Sequence, residues 1–151
     1  MSMGQIEIRR LGPGDAAVLD RVLPDVFDHA IDSAAAAAFL ADPHHHLVVA
    51  IEDGVVIGFV SAIDYFHPDK PRPELWIDEV GVAPERHGRG VGKAVMRGML
   101  DVARAVGCGE AWVLTDRGNT AAMRLYASVR GEASDAVMFT FFLDDDGDTA
   151  R

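Results

Sequence analysis

The 151-residue sequence predicts a single α/β domain. Three observations carry this. Runs rich in β-branched and aromatic residues alternate with helical patterns along the chain. Two such runs, Leu47 to Glu52 and Val55 to Asp64, are joined by Asp53-Gly54, a strong hairpin signal. Another, Glu74 to Val82, leads through Ala83-Pro84 into Gly88-Arg89-Gly90-Val91-Gly92, which opens a long amphipathic helix. At 49% hydrophobic and 25% charged, the chain can bury a real core and is not disordered.

The elements follow in order. Gln5 to Arg9 alternates apolar and polar residues and reads as a first strand, ended by Gly12-Pro13-Gly14. Asp15 starts a short helix, Ala16 to Leu23, that Pro24 stops. Asp32-Ser33 caps an alanine-rich second helix, Ala34 to Ala41, closed by Asp42-Pro43. The hairpin comes next. Phe66 to Pro73 holds three prolines and reads as a loop, and Glu74 to Val82 as the next strand. Gly90 to Val106 places Val91, Val95, Met99, Val102 and Val106 on one side of a helix, with Gly107 as its C-cap. Glu110 to Thr115 is a continuous apolar strand, which suggests burial on both faces. Asn119 caps a helix from Thr120 to Val129. Ala136 to Leu143 reads as a final strand, and residues 144–151 as an acidic, solvated tail.

Charge and cysteine usage exclude several classes. A formal net charge of -10 repels nucleic acid and anionic membranes and attracts cationic small molecules or basic peptides. No apolar run approaches the ~20 residues of a membrane span. Met1-Ser2-Met3-Gly4 lacks the basic and apolar regions of a secretory leader. Cys108 is the only cysteine, which excludes an internal disulfide and a cysteine-based zinc site and fits a reducing cytoplasm. It sits between Gly107 and Gly109 and reads as structural. No metal site is expected.

The glycine cluster carries the chemistry. A strand that turns into a helix through glycines leaves bare backbone N–H groups at the helix N-terminus, an anion site suited to phosphate. The P-loop pattern fails on spacing, and Ala94 follows Lys93 where a hydroxyl is needed. The Rossmann pattern fails too, because the glycines alternate and lie behind an antiparallel hairpin. Alternating glycines with Arg86, Arg89 and Lys93 can still wrap a pyrophosphate. An ordinary strand-to-helix turn with surface arginines is the alternative.

Val82-Ala83-Pro84-Glu85-Arg86-His87-Gly88-Arg89-Gly90-Val91-Gly92 resembles motif A of the GNAT superfamily of N-acetyltransferases. Asn119-Thr120-Ala121-Ala122-Met123-Arg124-Leu125-Tyr126 resembles its motif B, in the expected order and separated by one helix and one strand. Two departures stand out. His87 occupies the Arg/Gln position of motif A, and Arg130-Gly131 stands where Gly-Phe often follows motif B. The resemblance implies an α/β (α+β) fold: a mixed, mostly antiparallel central sheet of six to seven strands flanked by about four helices. It also implies a splayed gap between the fourth and fifth strands.

The implied cosubstrate is acetyl-CoA. Val80, Gly81 and Val82 would hold its pantetheine arm along a strand edge. His87, Gly88, Arg89, Gly90, Val91, Gly92 and Lys93 would hold its pyrophosphate, with Asn119 and Tyr126 also at the cofactor. An amine attacks a thioester directly, so no protein nucleophile is required. Tyr126 would protonate the leaving thiolate and Glu79 would take the ammonium proton, directly or through water. Strand alternation sends Asp78 and Glu79 to opposite faces, so at most one faces the substrate. His67 and the triplet His44-His45-His46, read as an exposed connector, are further candidate bases.

Pro71 to Val82 is similar to a segment of aminoglycoside 3-N-acetyltransferases, in which the acidic residue placed at Glu79 engages the substrate amine. Asp64, Glu74, Asp78 and Glu79 would line a negative cleft. The expected acceptor is therefore a primary amine of a cationic small molecule, an aminoglycoside at its 3-N position being the leading candidate. Polyamines, protein or peptide amines, and a non-catalytic acyl-CoA-binding role are the alternatives. A homodimer is compatible with Ala136 to Leu143 as an exposed edge or shared strand.

Overall fold

The computed structural model describes residues 4–144. The acidic tail expected over residues 144–151 lies, apart from Asp144, outside the described residues. Five strands form one sheet in the order β1-β2-β3-β4-β5: β1 (Ile6–Leu11), β2 (His45–Glu52), β3 (Val55–Tyr65), β4 (Glu74–Val82) and β5 (Glu110–Val113). The first four pair antiparallel, and β5 runs parallel to β4. The parallel pair requires a crossover, which α2 (Val91–Val106) supplies. α1 (Ser33–Ala41) precedes β2, and α3 (Thr120–Ser128) follows β5.

Local chemistry sets these bounds. Asp53 and Gly54 both take positive φ, 53° and 77°, in the two-residue turn that joins β2 to β3. Asp32 and Asn119 accept hydrogen bonds from Ala35 N and Ala122 N, 3.0 and 3.1 Å, at the starts of α1 and α3. Gly107, at φ 93°, ends α2.

The central strands are apolar on both faces. From β2, Val48 and Ala50 join one cluster under α2, while Leu47, Val49 and Ile51 join another under α1. α2 contributes Val91, Val95, Met96, Met99, Val102 and Ala103 to the first cluster. Each fully buried valine or methionine in that stripe is worth about 1.5–3 kcal/mol.

Several expectations change. Among the described residues the sheet has five strands rather than six to seven, and three α-helices stand where about four were expected. The first predicted helix shrinks to a 3-10 turn, Ala16–Asp20, because Arg21 is extended and Val22 bridges Val56 of β3. β1 continues to Leu11, since Arg10 and Leu11 pair with Val48 and Leu47. The His44-His45-His46 connector is largely strand: β2 begins at His45, and His46 is buried. β5 is a short, half-buried strand rather than one buried on both faces, because it forms the sheet edge. No helix or strand forms at Ala136 to Leu143. The segment has strand-forming composition yet lies outside the five-stranded sheet.

Two irregularities of β4 shape the surface beside it. Its pairing with β3 skips one residue: Ser61 faces Glu79 and Ala62 faces Ile77, leaving Asp78 as a bulge. Its pairing with β5 stops at Ile77. From Asp78 to Val82 the strand edge has no β5 neighbour, which is the splayed gap that the motifs imply.

Candidate active site

A groove of about 730 Å³ opens at this gap. One wall is the free edge of β4 from Asp78 to Val82, and the facing wall comes from Leu114, Thr115 and α3, including Tyr126. The N-terminus of α2 closes one end with Gly90, Val91, Gly92 and Lys93. The first backbone bond of α2 runs from Ala94 N to Gly90 O, 3.0 Å, so the amides of Val91, Gly92 and Lys93 have no partner within the helix. Gly88 and Gly90 take φ of 77° and 79°, and a Cβ on either would stand in open space. Glycine serves here to turn the chain and to leave the amides bare.

Charge around this loop is arranged by one buried carboxylate. Glu52, at the end of β2, is 5% exposed. It accepts a bond from Arg86 Nε at 2.7 Å and another from an Arg89 terminal nitrogen at 3.0 Å. Those bonds, Arg86 first, hold its carboxyl below its ordinary range despite burial. Arg86 still lines the groove, but Arg89, expected at the cofactor, does not. His87 fastens its Nε2 to the Val82 carbonyl at 3.0 Å. It thereby ties the loop to the end of β4 without a longer side chain at the motif's Arg/Gln position.

The other expected cofactor positions, Val80, Gly81, Val82, His87, Gly88, Gly90, Val91, Gly92, Lys93, Asn119 and Tyr126, all line the groove. Tyr126 is half-buried, and burial pushes its hydroxyl pKa up. The group therefore stays protonated and available as a donor at neutral pH.

The carboxylates divide. Asp78 and Glu79 both line the groove, because the bulge at Asp78 breaks the alternation that would have separated them. Desolvation first, then the charges of Asp78 and Asp28, raise the Glu79 carboxyl pKa; His29 opposes the shift. Asp64 and Glu74, also expected in the cleft, are not there. Asp64 is buried, with His44 Nδ1 3.1 Å and His46 Nε2 3.2 Å from its Oδ1. Glu74 accepts from the Tyr65 hydroxyl at 3.0 Å and meets His67 Nε2 at 3.0 Å. Both acids serve polar networks at the other end of the sheet, and His44, His46 and His67 are tied up with them. Desolvation and the Asp64 charge raise the Cys108 thiol pKa, so it is not a ready nucleophile.

Asp25, Asp28 and Phe59 also line the groove. Asp25 and Asp28 lie in the stretch between the 3-10 turn and α1, where no local pattern marks them.

Residues 17–131 match the Acetyltransferase (GNAT) family. The chain belongs to that family. Among its relatives is the N-alpha-acetyltransferase RimI of Mycobacterium tuberculosis, 34% identical over 60% of this chain and 54% of that one. Another is the L-2,4-diaminobutyric acid acetyltransferase of Nocardia farcinica, 31% identical over 77% of this chain and 59% of that one. The GNAT chain thus spans a little over half the length of these two relatives. Its fold is also that of an aminoglycoside acetyltransferase from an uncultured soil metagenomic sample (TM-score 0.78, 19% identity, 92% and 97% of the two chains covered). The aminoglycoside N-acetyltransferase AAC(6')-Iy in complex with CoA shares it as well (TM-score 0.73, 22% identity, 95% and 98% covered).

Proposed function

We propose that this GNAT protein moves the acetyl group of acetyl-CoA to a primary amine of a cationic small molecule. The observation that carries the reading is one groove that gathers bare α2 amides, a β4 edge without a β5 neighbour, the Tyr126 side chain and four carboxylates. The donor set fits a CoA pyrophosphate: amides at a helix N-terminus, with Arg86 and Lys93 beside them. The β4 edge from Val80 to Val82 has no β5 neighbour and suits an extended amide-bearing arm laid along it, with the Val82 carbonyl already taken by His87.

Acetyl-CoA supplies the activated thioester. The amine nitrogen forms a bond to its carbonyl carbon, and the carbon–sulfur bond breaks. The substrate ammonium gives up one proton before attack and another as the amide forms. Glu79, with its raised pKa and its place beside the gap, takes the first, directly or through water. Tyr126 gives the departing thiolate its proton, and the second amine proton, passed through solvent, restores it. Asp25, Asp28, Asp78 and Glu79 hold the acceptor by charge, in keeping with the net charge of -10.

An aminoglycoside at its 3-N position is the acceptor that the Pro71 to Val82 segment suggests. The fold is shared with aminoglycoside acetyltransferases, but the apolar cavity beside the groove weighs against so polar a body. The lone buried Cys108 fits a reducing cytoplasm, which belongs to the same proposal. So does a homodimer: each copy carries an open β5 edge and an exposed apolar segment at 136–143.

The test is release of CoA thiol from acetyl-CoA with kanamycin, gentamicin, spermidine, 2-phenylethylamine and lysine-bearing peptides, with mass analysis of the product. Acetylation of a cationic small molecule is expected. Binding of acetyl-CoA without transfer to any amine would leave a non-catalytic acyl-CoA-binding domain instead.

A further inference from the structure

A second cavity, of about 470 Å³, meets the groove at Asp28, Phe59, Asp78 and Glu79. Its chemistry is unlike that of the groove. The walls are Phe27, Ile31, Phe39, Leu40, Leu47 and Phe59, supplied by β2, β3, α1 and the stretch before α1. Phe27 stacks on Phe59 with ring centroids 3.9 Å apart, and Phe39 meets the His45 ring edge-on at 5.0 Å. Ala35 and Ala36 line it from α1, and their small side chains leave its volume open. Its polar groups are Ser61, His29 and a set of carboxylates, Asp28, Asp32, Asp78 and Glu79.

We propose that this cavity is the acceptor pocket, and that it selects a primary amine carried on an aromatic or branched aliphatic body. The ammonium stands at Asp28, Asp78 and Glu79, where the cavity meets the groove. The apolar body lies between Phe27, Phe39 and Leu47. This deepens the acetyl-transfer reading and rests on it.

Two arguments select this class. Among the described residues, the acids shared by the cavity and the groove are Asp28, Asp78 and Glu79, so a cation held by them is already at the thioester end. Beyond these, the remaining described acid of the cavity is Asp32, whose Oδ1 already accepts from Ala35 N at the start of α1. A second ammonium or a ring of hydroxyls placed between Phe27, Phe39 and Leu47 would meet aromatic and aliphatic carbon and lose its water without replacement bonds. A polyamine or a polyhydroxylated aminoglycoside therefore fits the rim but not the interior. An apolar body fits both, and its burial adds to binding.

The test compares kcat/KM for 2-phenylethylamine and 3-methylbutylamine with that for spermidine and kanamycin, by CoA thiol release. At least a tenfold advantage for the two apolar amines is expected. Two variants probe the walls: Ala36→Phe, which fills the cavity, and Phe39→Ser, which opens and wets it. Each is expected to raise the KM for 2-phenylethylamine at least tenfold while the calorimetric Kd for acetyl-CoA stays within twofold of the parent. Faster turnover of spermidine or kanamycin than of both apolar amines would overturn this pocket assignment and leave acetyl transfer standing. So would an unmoved 2-phenylethylamine KM in whichever variants fold. Binding of acetyl-CoA with no thiol release for any of the four amines would remove the acetyl-transfer reading and this inference with it.

Discussion

Tyr126 and Glu79 face one groove, and the proposed reaction gives them opposite protonation needs. In that reaction Tyr126 carries a proton when sulfur leaves, and desolvation raises its hydroxyl pKa. Tyr126→Phe keeps the ring and removes the donor. It should lower kcat about 100-fold, the lower range for a general acid, while the Kd for acetyl-CoA is unchanged. Single-turnover kinetics beside calorimetry checks both. Glu79 has to be ionised to accept a proton. Its raised pKa means that activity increases with pH through a point above the ordinary carboxylate range. Glu79→Gln should remove that acidic limb from the kcat/KM profile; a limb that persists would assign the base elsewhere, with Asp28 next in line. Glu52 shows what charge does when it is not catalytic. Held by Arg86 and Arg89, it anchors the loop that presents the α2 amides. Arg89, by sequence a phosphate ligand, is spent on that anchor.

At the level of elements, local signals are legible in the sequence and pairing details are not. The Asp53-Gly54 turn, the Asn119 cap, the Gly107 stop and the apolar stripe of α2 are each decided within a few residues, so the chain declares them. The bulge at Asp78 depends on β3 as much as on β4, and counting alternate residues along one strand cannot find it. The expected acidic cleft fails on length. Glu74 and Glu79 are five residues apart on a strand, roughly 16 Å at about 3.3 Å per residue, too far to serve one ammonium. Asp25 and Asp28 escape a sequence reading because tertiary packing, not periodicity, brings their segment to β4. Gly81 records that packing. A Cβ there would stand 2.2 Å from the Val26 carbonyl and 2.7 Å from the Phe59 ring. Gly81→Ala would therefore push the 21–32 segment off β4. A loss of about 1–3 kcal/mol in urea unfolding is expected, as for other overpacked sites. A weakened acetyl-CoA Kd should accompany it, since Gly81 also lines the groove.

For the whole molecule, the main energetic imbalance is the apolar surface at the C-terminal end of the described chain. Val137, Phe139, Phe141 and Leu143 are 81%, 80%, 80% and 90% exposed. Drawn out as a strand, alternate residues would share one face, and these four would form an apolar row. The same molecule ends its sheet at β5, a four-residue strand whose outer edge no described strand covers. An open edge and an apolar strand former outside the sheet are complementary features of one chain. Two copies can satisfy each other by exchanging segments under closed two-fold symmetry, each covering the other's β5 edge. Arg117 and Asp135 form an ion pair that holds the start of the segment beside the β5–α3 connection, where exchange would begin. Sedimentation of the parent should show a dimer at micromolar concentration. Phe139→Glu with Phe141→Glu should give a monomer that keeps its acetyl-CoA Kd, because neither residue lines the groove. A parent that sediments as a monomer at every concentration would instead mean that the row is covered within its own chain.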